Sequence, residues 1–249
     1  MNIAFYIDHT ILKPTTTYIE IKKICEEAIH YKFAAVCVPP PMAGAAREYL
    51  SGMGDGGTGV AAGVKVATVI GFPFGYSALA AKLAEAEQAM GMADELDVVI
   101  NLIALRNGDW GYLESEMRAI VALVHGHAGS GERGEGYVRG SGASRGGKIL
   151  KVIIESGILS DEEIVRCCEL YSRVGVDFLK TSTGYAEKGA SVAAVQLMRR
   201  HLPLSIQIKA SGGIRSYTFA RELIVAGASR LGCSASVEIV RGEAGGSGY

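Results

Sequence analysis

Residues 64–100, VKVATVIGFPFGYSALAAKLAEAEQAMGMADELDVVI, decide the fold. VKVATVI (64–70) and ELDVVI (95–100) are near-continuous Val/Ile/Leu runs, and 78–91 between them is amphipathic with helical spacing. A strand covered on both faces reads as an unbroken apolar run. Two such strands joined by a helix lie parallel, because the crossover returns the chain to the same end of the sheet. The rhythm continues in both directions. Strands are predicted at about 5–8, 34–38 (AAVCV), 149–154 (ILKVII), 176–180 (VDFLK), 205–209 (SIQIK) and 229–232 (SRLG). Amphipathic helices are predicted at 18–31, 111–124, 160–173, 190–200 and 216–226. Eight strand–helix units in 249 residues predict a closed (β/α)8 TIM barrel rather than an open doubly wound sheet, with one domain over 1–249.

Helix punctuation agrees. Ser160-Asp161-Glu162-Glu163 is a capping residue followed by an acidic first turn. Gly175 and Gly227 fall just after helical runs, where a left-handed cap favours glycine. Two glycine-rich stretches interrupt the alternation, 51–59 (SGMGDGGTG) and 126–147 (GHAGSGERGEGYVRGSGASRGG), and the tail 242–249 (GEAGGSGY) has the same character. The longer stretch reads as a flexible insertion before the fifth strand and the tail as a mobile terminus, neither with a core face of its own.

The formal net charge of −1 gives no reason to expect a nucleic-acid or membrane-surface partner. The N-terminus, MNIAFYIDH, has neither a basic region nor a long apolar run, so no signal or anchor is expected there. Five cysteines without metal-like spacing point to a reducing compartment, and a cytoplasmic location is expected.

In a parallel barrel, reactive groups project from the C-terminal ends of the strands. Three strand ends place ionisable residues where an apolar one would fit. VDFLKTSTG (176–184) ends its strand on Lys180, followed by the small hydroxyl residues Thr181, Ser182 and Thr183 that leave room beside an amine. SIQIKASGG (205–213) puts Lys209 at the matching place on the next strand, about 4.8 Å away. If both lysines point inward, their like charges lower an amine pKa, and a neutral lysine is what attack on a carbonyl needs. The alternative is two lysines turned to separate acidic partners. DELDVVIN (94–101) offers Asp97, with Asp94 and Glu95 read as loop or strand-entry residues. Asp97 either shuttles protons for a lysine or only neutralises Lys151 on the next strand; Lys151 and Glu155, which share parity, are supporting candidates. Histidines 9, 30, 125, 127 and 201 are scattered, with His125 and His127 read as surface residues, so no metal is expected.

Ser211-Gly212-Gly213-Ile214-Arg215 after the seventh strand and Gly232-Cys233-Ser234 after the eighth let backbone amides approach an anion beside a helix N-terminus. Loops after strands seven and eight are the usual phosphate location in this fold.

With these segments laid out, the chain resembles the deoxyribose-phosphate aldolase family over nearly its whole length. The matching stretches are IDHTILKP (7–14), FAAVCVPP (33–40), VIGFPFG (69–75), ADELDVVINLIAL (93–105), KVIIESGILSDEE (151–163), VDFLKTSTGYAEKGA (176–190) and KASGGIR (209–215). The resemblance implies a sugar-phosphate substrate, an imine on Lys180 with no other cofactor, and proton transfer by Asp97 and Lys209. It implies phosphate contacts from Gly184, Gly212, Gly213, Gly232 and Ser234, and a homodimer or larger homo-oligomer. The chain departs from the family at Tyr185, where other members carry different side chains including lysine, at Ala235, where some have a second hydroxyl, and in the longer 126–147 stretch. Tyr249 is either a phenol that folds over the barrel mouth or an unstructured terminus. Two rival classes stand beside the aldolase reading. A phosphate-binding isomerase, synthase or flavin barrel leaves the two lysines and Asp97 unexplained. A non-catalytic sugar-phosphate binder predicts that binding survives Lys180→Met.

Overall fold

The computed structural model describes residues 1–52, 63–126 and 148–245. Most of both glycine-rich stretches, His127 and Tyr249 lie outside the described residues. Eight strands form a closed barrel in chain order, every neighbouring pair parallel. They are β1 (Ile7–Thr10), β2 (Ala35–Val38), β3 (Lys65–Ile70), β4 (Glu95–Val99), β5 (Ile149–Ile153), β6 (Phe178–Lys180), β7 (Gln207–Ser211) and β8 (Arg230–Cys233). The (β/α)8 expectation is met.

Outside the barrel lie α1 (Tyr18–Tyr31), α2 (Ala43–Gly52), α3 (Leu79–Met90), α4 (Leu102–Arg106), α5 (Trp110–Val124), α6 (Asp161–Val174), α7 (Val192–His201), α8 (Tyr217–Val225) and α9 (Ser236–Gly245). Side-chain alternation divides the core in two. One face of each strand, with Val36, Val38, Val66, Ile70, Leu96 and Val98, packs on the helices. The other face fills the barrel with Ala35, Cys37, Ala67 and Val69 on one side and charged residues on the other. The period of two therefore decides which residues can meet inside.

The Ser160 capping box forms with Glu163 at the start of α6, and Gly175 ends that helix in the left-handed region. Thr17 and Glu20 make a second capping box on α1. Gly227 also has a positive φ, one residue beyond the cap of α8 at Ala226.

Several boundaries differ from the sequence reading, each for a local reason. Residues 3–6 form a single 3-10 turn, begun by Asn2 accepting from the Ala4 amide, so β1 starts at Ile7. Residues 205–206 belong to a turn closed by the Ile206 amide on the Pro203 carbonyl, so β7 starts at Gln207 and runs on to Ser211. Helices α2 and α4 escaped the periodicity reading: α2 runs into the glycine-rich stretch, and α4 has only five residues. Part of the expected tail is helical, since α9 continues through Gly245. All five cysteines are buried free thiols. Among the described residues, no helix is long and apolar enough to cross a membrane.

Candidate active site

Strand register brings the three sequence candidates together. Lys180 is the last residue of β6 and lies directly opposite Lys209 in the parallel pair, and Asp97 is opposite Lys151 across β4 and β5. Inside the barrel, Lys180 Nζ donates to Asp97 Oδ2 at 2.7 Å and Lys209 Nζ to the same oxygen at 2.8 Å. Lys151 Nζ donates to Asp97 Oδ1 at 2.7 Å. Asp97 thus serves three lysines at once, so the two roles weighed for it are not exclusive, and Lys151 touches it directly.

Three further residues complete the cluster, and sequence reasoning did not single them out. Asp8 on β1 stands 2.5 Å from Lys209 Nζ and 2.6 Å from Arg230. Arg230, from β8, also binds Glu95 at 2.8 Å. Glu95 is correspondingly not a strand-entry residue: it is fully buried inside the barrel, 2.6 Å from Lys151 Nζ. It shares parity with Asp97, which was the available signal. Asp94 does stand at the strand entry, paired with Arg47 at 2.7 Å and accepting from the Val66 amide.

The cluster is electrostatically unequal. Four cationic side chains (Lys151, Lys180, Lys209, Arg230) face three carboxylates (Asp8, Glu95, Asp97). Uncompensated charge in a buried site is costly, so one cation tends to lose its proton. Geometry selects which. Lys151 and Lys209 each contact two or more carboxylates, whereas Lys180 contacts Asp97 alone. Burial pushes the Lys180 amine below the ordinary lysine value; the Lys209 charge adds to this and Asp97 only partly opposes it. For Lys209 burial acts in the same sense, but Asp8 and Asp97 outweigh it and hold its pKa above the ordinary value. Lys151 is likewise raised, with Asp97 and Glu95 overcoming burial. Burial works against the Asp97 carboxylate, yet Lys151, Lys180 and Lys209 hold it well below the carboxylate range. The arrangement contains one amine inclined to neutrality among firmly charged neighbours.

Thr181 fixes the residue after Lys180. Its amide donates to the Lys209 carbonyl at 3.0 Å, and its Oγ1 accepts from the Ser211 amide at 3.1 Å. Ser211 Oγ donates to the Ser182 carbonyl at 2.5 Å. The ends of β6 and β7 are thereby stitched together just beyond the two lysines.

The anion candidates gather at the same end of the barrel. Gly184, Gly212 and Gly213 have φ of 89°, 86° and 78°, the left-handed region that a side chain resists. A Cβ on Gly212 would stand 3.0 Å from Gly189 Cα and 3.4 Å from Gly184 Cα, so the loops after β6 and β7 touch backbone to backbone. Gly232 has a second reason to be glycine: a Cβ there would lie 2.9 Å from Ser211 Cβ and 3.2 Å from Lys209 Cε. Ser234 is exposed just after β8, two residues before α9 begins. Tyr185 is half exposed and its hydroxyl donates to the Leu12 carbonyl at 2.8 Å.

Two further expectations need correction. His125 is not a surface residue; its ring is 6% exposed, with Nε2 3.0 Å from Asp177 Oδ2. Glu155 does not join Lys151. It leaves the strand with φ 56°, which breaks the parity, and its carboxylate accepts from Thr183 instead.

The chain is similar to known proteins over nearly its whole length. The profile of the DeoC/LacD family aldolases matches residues 2–237. A deoxyribose-phosphate aldolase from Thermococcus gammatolerans is 44% identical over 243 residues, covering 97% of this chain and 96% of the relative. The solved structure of QR15, an aldolase, superposes with TM-score 0.81 at 31% identity, covering 98% of this chain and 96% of the other. The tetrameric deoxyribose phosphate aldolase from Aeropyrum pernix gives TM-score 0.77 at 30% identity, over 97% of this chain and 91% of the other. With one profile spanning the barrel and relatives this similar over almost their full length, the chain belongs to the DeoC/LacD family of aldolases.

Proposed function

We propose that this enzyme is a class I aldolase that reversibly cleaves 2-deoxy-D-ribose 5-phosphate to D-glyceraldehyde 3-phosphate and acetaldehyde, with Lys180 as the imine-forming amine. The observation that carries the reading is the excess of cations around Asp97, which leaves Lys180 the amine with least carboxylate support. The names of the relatives support the substrate.

Neutral Lys180 attacks the C1 aldehyde of the open-chain sugar, and the carbinolamine loses water to a protonated imine. That cation stands beside Asp97 Oδ2, and the carboxylate offsets its charge. The C2–C3 bond breaks with its electron pair moving through C2 into the iminium, which gives an enamine. C3 becomes the aldehyde carbon of the leaving triose as its hydroxyl proton passes, through a water, to the Asp97–Lys209 pair. Protonation of the enamine at C2 and hydrolysis release acetaldehyde and restore Lys180. Asp97, held ionised, accepts and steers; Lys209, held cationic, keeps the proton near. The iminium supplies the electron sink, so no metal or other cofactor enters the proposal.

Phosphate is assigned to Gly184, Gly212, Gly213 and Ser234 at the mouth, with Gly232 chiefly clearing space for Lys209. The proposal extends to a homo-oligomer, supported by the tetrameric Aeropyrum pernix relative. It also extends to a cytoplasmic role in the breakdown of deoxyribose phosphates. A coupled assay for glyceraldehyde 3-phosphate, run on 2-deoxyribose 5-phosphate with and without chelator, tests the reading. Chelator-insensitive product formation is expected; no product, or product abolished by chelator, contradicts it.

A further inference from the structure

Glu155 is a buried carboxylate that the imine chemistry leaves unused. It follows β5 directly, is 3% exposed, and holds a backbone φ of 56°. Among the described residues the only other non-glycine in that region is Lys32, which ends α1. A residue with a Cβ persists in this conformation where its surroundings over-determine it. Here the determinant is Thr183. Oε1 of Glu155 accepts from the Thr183 amide at 3.2 Å, and Oε2 accepts from Thr183 Oγ1. Thr183 Oγ1 in turn accepts from the Tyr185 amide at 3.1 Å. The Ser156 amide donates to the Thr181 carbonyl at 2.7 Å, so the end of β5 grips the loop after β6 at two points.

That loop is then wedged between its neighbours. A Cβ on Gly157 would lie 2.2 Å from the Lys188 carbonyl oxygen, and one on Gly189 would lie 2.2 Å from the Gly212 carbonyl oxygen. Backbone contact therefore runs without a gap from the β5 end, through residues 183–189, to the Gly212-Gly213 turn. The Gly184 and Gly212-Gly213 sides of the anion site belong to this stack. Lys180 is anchored separately: its amine is set by Asp97, its carbonyl accepts from the Ile154 amide in the ladder, and the Glu155 charge acts on it from a distance.

We propose that Glu155 is a positioning residue that shapes the anion cup, and thereby sets how strongly the enzyme prefers a phosphorylated sugar over the free sugar. The inference rests on the phosphate assignment made above. By occupying the amide and hydroxyl of Thr183, Glu155 fixes the turn at Gly184 and leaves the later amides to face the ligand. Glu155→Gln keeps the shape and an acceptor for the Thr183 amide but removes the charged acceptor at Thr183 Oγ1, so that hydrogen bond must reverse direction and weaken.

The test compares steady-state kinetics on 2-deoxyribose 5-phosphate and on 2-deoxyribose. Wild-type enzyme is expected to prefer the ester. Glu155→Gln is expected to raise KM for the ester by about tenfold, with kcat and the activity on free sugar changed by less than about twofold. The rate of borohydride trapping with acetaldehyde stays at the wild-type level. Thr183→Val, which removes the hydroxyl partner from the other side, shifts the ester KM in the same direction, and Thr183→Ser restores it. This pair decides the matter equally if Glu155→Gln does not fold. Equal losses on both sugars, or no loss on either, overturn the role of Glu155. A wild-type enzyme that treats the two sugars alike overturns the phosphate assignment itself, and the role of Glu155 with it.

Discussion

Lys180 and Lys209 stand directly opposite each other across the β6–β7 pair and donate to one oxygen, Asp97 Oδ2, at 2.7 and 2.8 Å. The two amines are chemically alike, and what separates them is Asp8, which binds Lys209 only. With Asp97 it raises the Lys209 pKa, whereas burial and the Lys209 charge lower that of Lys180. Adjacent amines with opposed pKa shifts divide the labour between nucleophile and charge holder.

Lys209→Leu removes the nearby charge and relieves Lys180 of repulsion. The Lys180 pKa rises, and the acidic limb of the kcat/KM profile moves to higher pH. Turnover falls by roughly 100-fold or more, the scale of a lost proton-transfer group. A pH–rate profile measures both, and an unshifted limb contradicts the coupling.

Stability and activity should diverge at Lys180. Its depressed folded-state pKa means that the unfolded chain binds the proton more tightly. The protein is therefore penalised below the folded pKa and regains stability as pH rises toward the unfolded value of about 10.4. Lys180→Met removes the surplus cation, so the variant should be inactive yet melt no lower than wild type at pH 7. Lys209→Met leaves Asp8 with Arg230 and the more distant Lys151 and should lower Tm. Thermal melts of the pair check the contrast.

Asp8 and Asp97 shift in the opposite sense. Both are held below the ordinary carboxylate pKa by their cationic neighbours despite burial. Their contribution is fully present above about pH 4 and is lost as pH falls through the depressed folded values. Acid unfolding of wild type should be steeper than that of a Lys180→Met, Asp97→Asn double variant, as urea titrations across pH 2–5 will show.

A buried pair outside the barrel offers an independent check on the fold. Lys82 Nζ donates to Glu116 at 2.9 Å and to the Val99 carbonyl at 2.8 Å, tying α3 and α5 to the end of β4. Lys82→Met should cost about 3–5 kcal/mol because the buried Glu116 carboxylate loses its cation. Adding Glu116→Leu should recover most of it, as measured by urea denaturation.

Strand periodicity made much of this legible. Apolar runs and helical spacing sufficed for the barrel, and parity within it aligned Lys180, Lys209, Asp97 and Lys151. What escaped was hidden by local backbone events. A 3-10 turn moved the start of β1 and disguised Asp8; the acidic run Asp94-Glu95 looked like a loop, though Glu95 turns inward to Arg230. Glu155 left its strand through a left-handed residue, which alternation cannot anticipate. The helix α2 runs into a glycine-rich stretch, and α4 is too short to show a period.

The central claim is that Lys180 carries the imine. Incubation with acetaldehyde and borohydride, followed by peptide mass spectrometry, reads it directly. A two-carbon adduct on Lys180, absent from Lys151 and Lys209 and lost in Lys180→Met, is the expected result. An adduct on either other lysine, or none at all, contradicts the account.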